Sequence, residues 1–248
     1  MEVGFNVLSN DKVRVLFMRK IFKQQMTELS DELVKQAREA AKAMARSAES
    51  LKNTNLALAE QVIESDRKID ALEYNLNEMS IMLLARQQPV ASDLRVVVSV
   101  LKMSATLERM GDLARHVSYV ARGRYPQAPN SGPIYDQLVA MADHAAEVGQ
   151  RVVDLLESND LDLASRIEEE DDKLDELHRT IYGLILDDSV EMNSRQEIMD
   201  AILLARYLER YGDHAVSIAR RVNYVVTGIN AEHDELIRDV LEAEDYEA

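Results

Sequence analysis

Leu107-Glu108-Arg109-Met110-Gly111-Asp112 returns 101 residues later as Leu208-Glu209-Arg210-Tyr211-Gly212-Asp213. A near-copy of six residues marks an internal duplication, and a duplicated chain is constrained to fold as two similar units. The sequence around the copies says what kind of unit. Eight Gly and four Pro in 248 residues leave few breaks, and the 46% hydrophobic content includes only 5% aromatics and no Trp. The remaining apolar residues, Leu, Ala, Val and Met, suit helix packing. The expected fold is all-α: two tandem three-helix bundles related by a pseudo-repeat.

Periodicity supplies the elements. A helical pattern runs from about residue 18 to 51 through Ile21, Met26, Leu29, Leu33, Ala37, Ala40, Met44 and Ala48. Past the turn at Lys52-Asn53-Thr54-Asn55, a second helix is expected to about residue 88. Its seam is Val62, Ser65, Ile69, Leu72, Leu76, Met79 and Leu83. Pro89 stops it, and Ser92-Asp93 can cap a third helix reaching about residue 121 on Met103, Leu107, Met110, Ala114 and Val117. Residues 123–133 carry three of the four prolines and read as the interdomain linker. Three more helices follow, at about 134–157, from the turn at Ser158-Asn159-Asp160 to about 187, and at about 194–226. The expected plan is therefore an N-terminal extension at 1–17, a first bundle at 18–123, a linker at 124–133, a second bundle at 134–229 and an acidic tail at 230–248.

In each copy of the hexapeptide, Glu and Asp stand four positions apart, which puts two carboxylates on one helix face. Like charges at that spacing repel by roughly 0.2–0.5 kcal/mol, so a bound cation, the intervening Arg or solvent must offset them. Aligning the halves exposes a second recurring pair, Asp66 and Asp70 against Asp171 and Asp175, 105 residues apart. With 45 acidic residues, chance alone yields about eight such pairs, most of them solvated charge, so recurrence at matching places is the informative part. Glu108, Asp112, Glu209 and Asp213 follow their apolar seams by one or two residues, as Asp70 follows Ile69 and Asp175 follows Leu174. They should flank the packed interface and gather in a surface groove between two helices. Four oxygen donors there suit a hard cation such as Fe, Mn, Mg or Ca. A solvated acidic face with each carboxylate paired to a basic side chain accounts for the same residues equally well. Gly111 and Gly212, each costing about 1 kcal/mol against Ala in mid-helix, mark a close approach or tight helix packing.

Other classes of function find less support. With no Cys, any metal must be held by oxygen or imidazole. The formal charge of −16 argues against a nucleic-acid surface and favours cations or a basic protein partner. Neither a basic and apolar leader nor an apolar run of 18 residues is present, so a soluble, cytoplasmic protein without membrane insertion is expected. A di-iron carboxylate enzyme needs a Glu-x-x-His on two helices, and only Asp175-Glu176-Leu177-His178 comes near. His116 and His214 have no counterpart in the other half. A metal-dependent carboxylate enzyme and a purely structural helical scaffold remain the alternatives to a binding role.

The two three-helix halves with repeated E-x-x-x-D and D-x-x-x-D pairs resemble the PhoU family of phosphate-signalling regulators, its actinobacterial branch in particular. Leu208-Glu209-Arg210-Tyr211-Gly212-Asp213-His214-Ala215 is similar to the family's second-repeat signature, residues 107–114 to its first, and Asn223-Tyr224-Val225-Val226-Thr227-Gly228 to its last helix. The resemblance covers residues 18–229. It implies a non-enzymatic negative regulator of phosphate uptake, linking the ATPase subunit of the phosphate ABC transporter to a membrane sensor histidine kinase, and it leaves a homodimer open. It also implies divalent or trivalent ions on surface carboxylate clusters, iron first, with Mn, Mg, Zn or Ca as alternatives. By motif match, Asp66, Asp70, Glu108 and Asp112 would hold one cluster and Asp171, Asp175, Glu209 and Asp213 the other.

Overall fold

The computed structural model describes the backbone of residues 7–190 and 194–229, and side chains from residue 19 onward in those stretches. Six helices make up the described chain: α1 (Val7–Asn53), α2 (Leu56–Gln87), α3 (Ala91–Arg124), α4 (Gly132–Ser158), α5 (Leu161–Leu186) and α6 (Arg195–Thr227). There is no strand among the described residues. α1 has 47 residues, about 70 Å at 1.5 Å per residue. It starts at Val7, well before the expected residue 18, because nothing between Gly4 and Thr54 breaks a helix and backbone hydrogen bonding continues without an apolar stripe. The proposed tail at 230–248 and residues 1–6 lie outside the described residues.

The helix ends follow local chemistry. Asn55 accepts the Leu58 N–H at 3.2 Å, Asp160 the Asp162 N–H at 2.9 Å and Ser194 the Glu197 N–H at 3.2 Å. Each satisfies a first-turn donor that the helix leaves unpaired. Ser92-Asp93 do not cap α3. Val90 holds the cap position, and the two polar residues fall inside the first turn, where Asp93 favours the positive end of the helix dipole. Gly228 closes α6 in the left-handed conformation, φ 80°.

Each half is a three-helix unit, α1–α3 and α4–α6, and the halves meet broadly. α2 packs on α1 and α3, and α5 packs on α4 and α6, while α1 packs on α4 and α3 on α6. α1, α3, α4 and α6 thus form a central layer with α2 and α5 outside it, over one continuous apolar core running from Leu29 to Val222. Buried polar contacts hold α1 to α3. Gln36 Nε2 donates to Ser104 O at 3.0 Å while Ser104 Oγ donates back to Gln36 Oε1 at 2.8 Å, and Ser47 Oγ reaches Ala114 O at 2.7 Å. Across the halves, Tyr135 Oη donates to Leu51 O at 3.0 Å, and Lys52 pairs with Asp143 at 2.7 Å.

The seams hold with two local corrections. Ile21 is exposed and Phe22 takes the inward position beside it. On α2 the inward residue between Val62 and Ile69 is Asp66, not Ser65: Asp66 is only 4% exposed. A four-then-three spacing through position 66 follows the helix pitch as well as three-then-four through 65 does, and α3 supplies a cation that makes burial of the carboxylate tolerable.

Candidate functional site

The acidic pairs come together in twos, one set on the α2–α3 flank and one on the α5–α6 flank. Mid-helix glycines permit the approach. A Cβ on Gly111 would stand 2.8 Å from Ile69 Cδ1 of α2, and one on Gly212 would stand 2.6 Å from Leu174 Cδ1 of α5 and against Asp171 Oδ1. A side chain at either point would displace these neighbours, and its absence lets α3 and α6 close onto the helices that carry the second pair of each set.

In the first set, Asp66 interacts electrostatically with Asp70 and Asp112, and Glu108 with Asp112, Asp70 and Glu73. Burial, opposed by Arg115, raises the Asp66 carboxyl above its ordinary value, and burial followed by Asp112 raises Glu108. Two arginines stand where a cation would. Arg115 Nη2 donates to Asp112 Oδ1 at 2.6 Å while its Nη1 pairs with Asp66 Oδ2, bridging α3 to α2. Arg109 Nη1 donates to Asp112 Oδ2 at 3.1 Å, and its Nε lies 3.5 Å from Glu108 Oε2.

The second set differs. Arg206 Nη1 donates to both oxygens of Glu209 at 2.6 and 2.7 Å, but the residue matching Arg115 is Val216, and Arg210 has no carboxylate ion pair among the described residues. Asp171, Asp175 and Asp213 therefore face one another with no guanidinium between them. Burial, then Asp213, Asp175 and Glu209, push the Asp171 carboxyl up to about 6. Burial, then Asp213, raise Glu209 as well.

All eight sequence-derived carboxylates thus fall into two clusters on matching helices. Among the described residues, no group of three or more His, Cys, Asp or Glu is already gathered about a point that could hold a metal ion. Cation binding would require side chains to turn inward, and Asp175 and Asp213 are exposed enough to do so. The donor chemistry of the second cluster fits a hard cation: oxygen only, with an excess of negative charge. The first fits one only after Arg115 withdraws.

The sequence pattern did not single out Arg115, Arg206, Glu73 or Asp172. Arg115 and Arg206 each stand three positions from a motif carboxylate, a spacing that places them on its face and was the available signal. The intervening Arg does offset the repulsion in the first copy, through Arg109, but not in the second. His178 packs its ring 4.7 Å from Tyr182 rather than joining a ligand set.

Comparison with known proteins matches this arrangement. The PhoU domain family model fits residues 20–121 and 138–222, once for each three-helix half. The chain belongs to the PhoU family. The Mycobacterium tuberculosis phosphate-specific transport system accessory protein PhoU homolog 2 is 39% identical over 211 residues, spanning 85% of this chain and 99% of its own. PhoU homolog 1 of Mycobacterium leprae is 38% identical over 217 residues, 88% of this chain and 97% of its own. The crystal structure of PhoU from Pseudomonas aeruginosa superposes with a TM-score of 0.77 at 29% identity, covering 84% of this chain and all of that one. PhoU from Streptococcus pneumoniae, at 20% identity and a TM-score of 0.76, shares the fold. Among the described residues, no helix is long and apolar enough to cross a membrane.

Proposed function

We infer that this PhoU protein is a non-enzymatic accessory of a phosphate-specific transport system, restraining phosphate uptake and the phosphate-responsive two-component system as an adaptor. Its partners in this reading are the ATPase subunit of the phosphate ABC transporter and a membrane sensor histidine kinase. The observation that carries the reading is similarity along nearly the whole length, at 39% identity, to a protein named for that system. The charge of −16 suits docking on basic protein surfaces.

Metal binding forms part of the reading. Asp171, Asp175, Glu209 and Asp213 would hold a divalent or trivalent cation, iron first and Mn, Mg, Zn or Ca otherwise. Asp66, Asp70, Glu108 and Asp112 would hold a second cation once Arg115 gives way. A bound cation would neutralise the repelling carboxylates and tie α5 to α6.

Affinity purification of the full chain from phosphate-replete cells tests the adaptor. Recovery of the transporter ATPase or a sensor histidine kinase is expected, and recovery of neither overturns it. Elemental analysis of protein purified without chelator tests the metal. Stoichiometric metal that falls on Asp171→Asn with Asp213→Asn is expected; metal content far below one ion per chain, unchanged by those substitutions, counts against it.

A further inference from the structure

Between the two acidic clusters, and sharing Asp112 with the first, α3 and α6 leave a groove of about 370 Å³. The helices run antiparallel there. The His116 ring of α3 lies 5.0 Å from the Tyr207 ring of α6, while Arg109 acts electrostatically on His214. The walls are Arg109, Asp112 and His116 from α3 and Arg206, Arg210 and His214 from α6, with Leu113 and Tyr207 between them. Three guanidinium groups and two imidazoles thus converge on one groove of a protein carrying a net charge of −16. Arg109 and Arg210 occupy matching positions in the two hexapeptide copies, so the duplication itself delivers one arginine from each side.

Arg206 and Arg109 are held by carboxylates and keep donors in reserve. Arg206 uses Nη1 on Glu209, and Arg109 uses Nη1 on Asp112. A guanidinium carries five N–H donors, so each retains several. Arg210 has no carboxylate ion pair among the described residues. His116 Nδ1 is buried without a hydrogen-bond partner. Convergent arginine forks of this kind match the oxygen edges of a tetrahedral anion. One wall differs in sign. Asp112 can accept a hydrogen bond, which an anion that still carries a proton can donate and a fully ionised one cannot.

We propose that the α3–α6 groove binds hydrogen phosphate, either as free orthophosphate or as the phosphate of a small monoester, and prefers it to sulfate. Arg210, Arg206 and Arg109 supply the charge, His116 and His214 supply N–H donors, and Asp112 accepts the phosphate's proton in a hydrogen bond. This goes beyond the adaptor reading and stands on the groove alone.

Calorimetric titration of the full chain, stripped of metal by chelator and kept in low-salt, phosphate-free buffer at neutral pH, tests it. Chelation removes any phosphate held through a metal. Saturable binding of orthophosphate is expected, about tenfold weaker or worse in Arg210→Gln and in His214→Gln. Sulfate should bind about tenfold less tightly than orthophosphate to the unmodified chain. Arg38→Gln, on α1 and paired with Glu157, should bind as the unmodified chain does. Arg210 is exposed, so its loss should not disturb folding, and an unchanged melting temperature verifies this. Phenyl phosphate is titrated in parallel: binding of phenyl phosphate alone assigns the site to monoesters. The proposal is overturned by no saturable heat from either phosphate, by affinity within twofold in Arg210→Gln, or by sulfate binding equally well. None of those results bears on recovery of the transporter ATPase.

Discussion

Gly212 and Asp171 occupy one crowded point. A Cβ at 212 would meet both the Asp171 carboxylate and Leu174, so Gly212→Ala must displace those side chains, and Gly111→Ala must displace the Ile69 side chain on α2. The overpacking cost of about 1–3 kcal/mol is offset by the roughly 1 kcal/mol that Ala gains over Gly in mid-helix, so each is expected to destabilise by up to about 2 kcal/mol, read as a lower urea midpoint at unchanged slope. Asp171 itself carries a pH dependence. Its carboxyl titrates near 3.8 in an unfolded chain and at about 6 in the fold. Above about pH 6 both states are ionised and folding bears the full repulsion. As pH falls from about 6 to 4 the folded state takes up the proton first, and stability rises. Asp171→Asn in chelator-treated protein should therefore melt higher at pH 7, by roughly 2–4 °C for about 1 kcal/mol, with the advantage gone near pH 4. Equal melting temperatures at pH 7 would contradict the placement of Asp171 among unneutralised carboxylates.

At the scale of helices, Arg115 is an internal counter-ion that joins α3 to α2, and α6 has Val216 in its place. Arg115→Met leaves Asp66 buried without its cation and should cost about 3 kcal/mol, whereas Asp66→Asn combined with Arg115→Met should recover most of it. Chemical denaturation of the two single variants and the double variant measures the coupling. The same Arg115→Met chain should gain more from added Mn than the unmodified chain does, because the first carboxylate set no longer carries a resident guanidinium. No added gain would argue against a cation site there. The asymmetry lies in one position, Arg115 against Val216, beside four carboxylates that recur on each side.

The molecule as a whole should melt as one. α1 with α4 and α3 with α6 share a core with the outer helices, so the two halves are not independently buried. A single calorimetric transition is expected, and two resolved transitions would contradict the shared core. Metal that binds only the folded state should raise that transition. At a hundredfold excess over Kd the gain is about 2.7 kcal/mol, roughly 5–10 °C, to be lost in the Asp171→Asn and Asp213→Asn double variant. An unchanged melting temperature with Mn and with Fe would remove the metal from the proposed function.

Much of this was legible along the chain because it depends on local spacing. The duplication, the six helices and the face shared by Glu108 with Asp112 or Glu209 with Asp213 all follow from residues within a turn or two of one another, whereas the expected Ser92-Asp93 cap gave way to Val90. Three things depend on which helix lies opposite, and only the tertiary structure decides them. Asp66 turns inward because Arg115 of another helix meets it; Asp171 is strained because Val216 offers it nothing; and Arg109 and Arg210 share a groove because α3 and α6 run antiparallel. Spacing determines the face a charge occupies. Its counter-ion, and hence whether the face is an ion pair or an open acidic site, is chosen by the packing of separate helices.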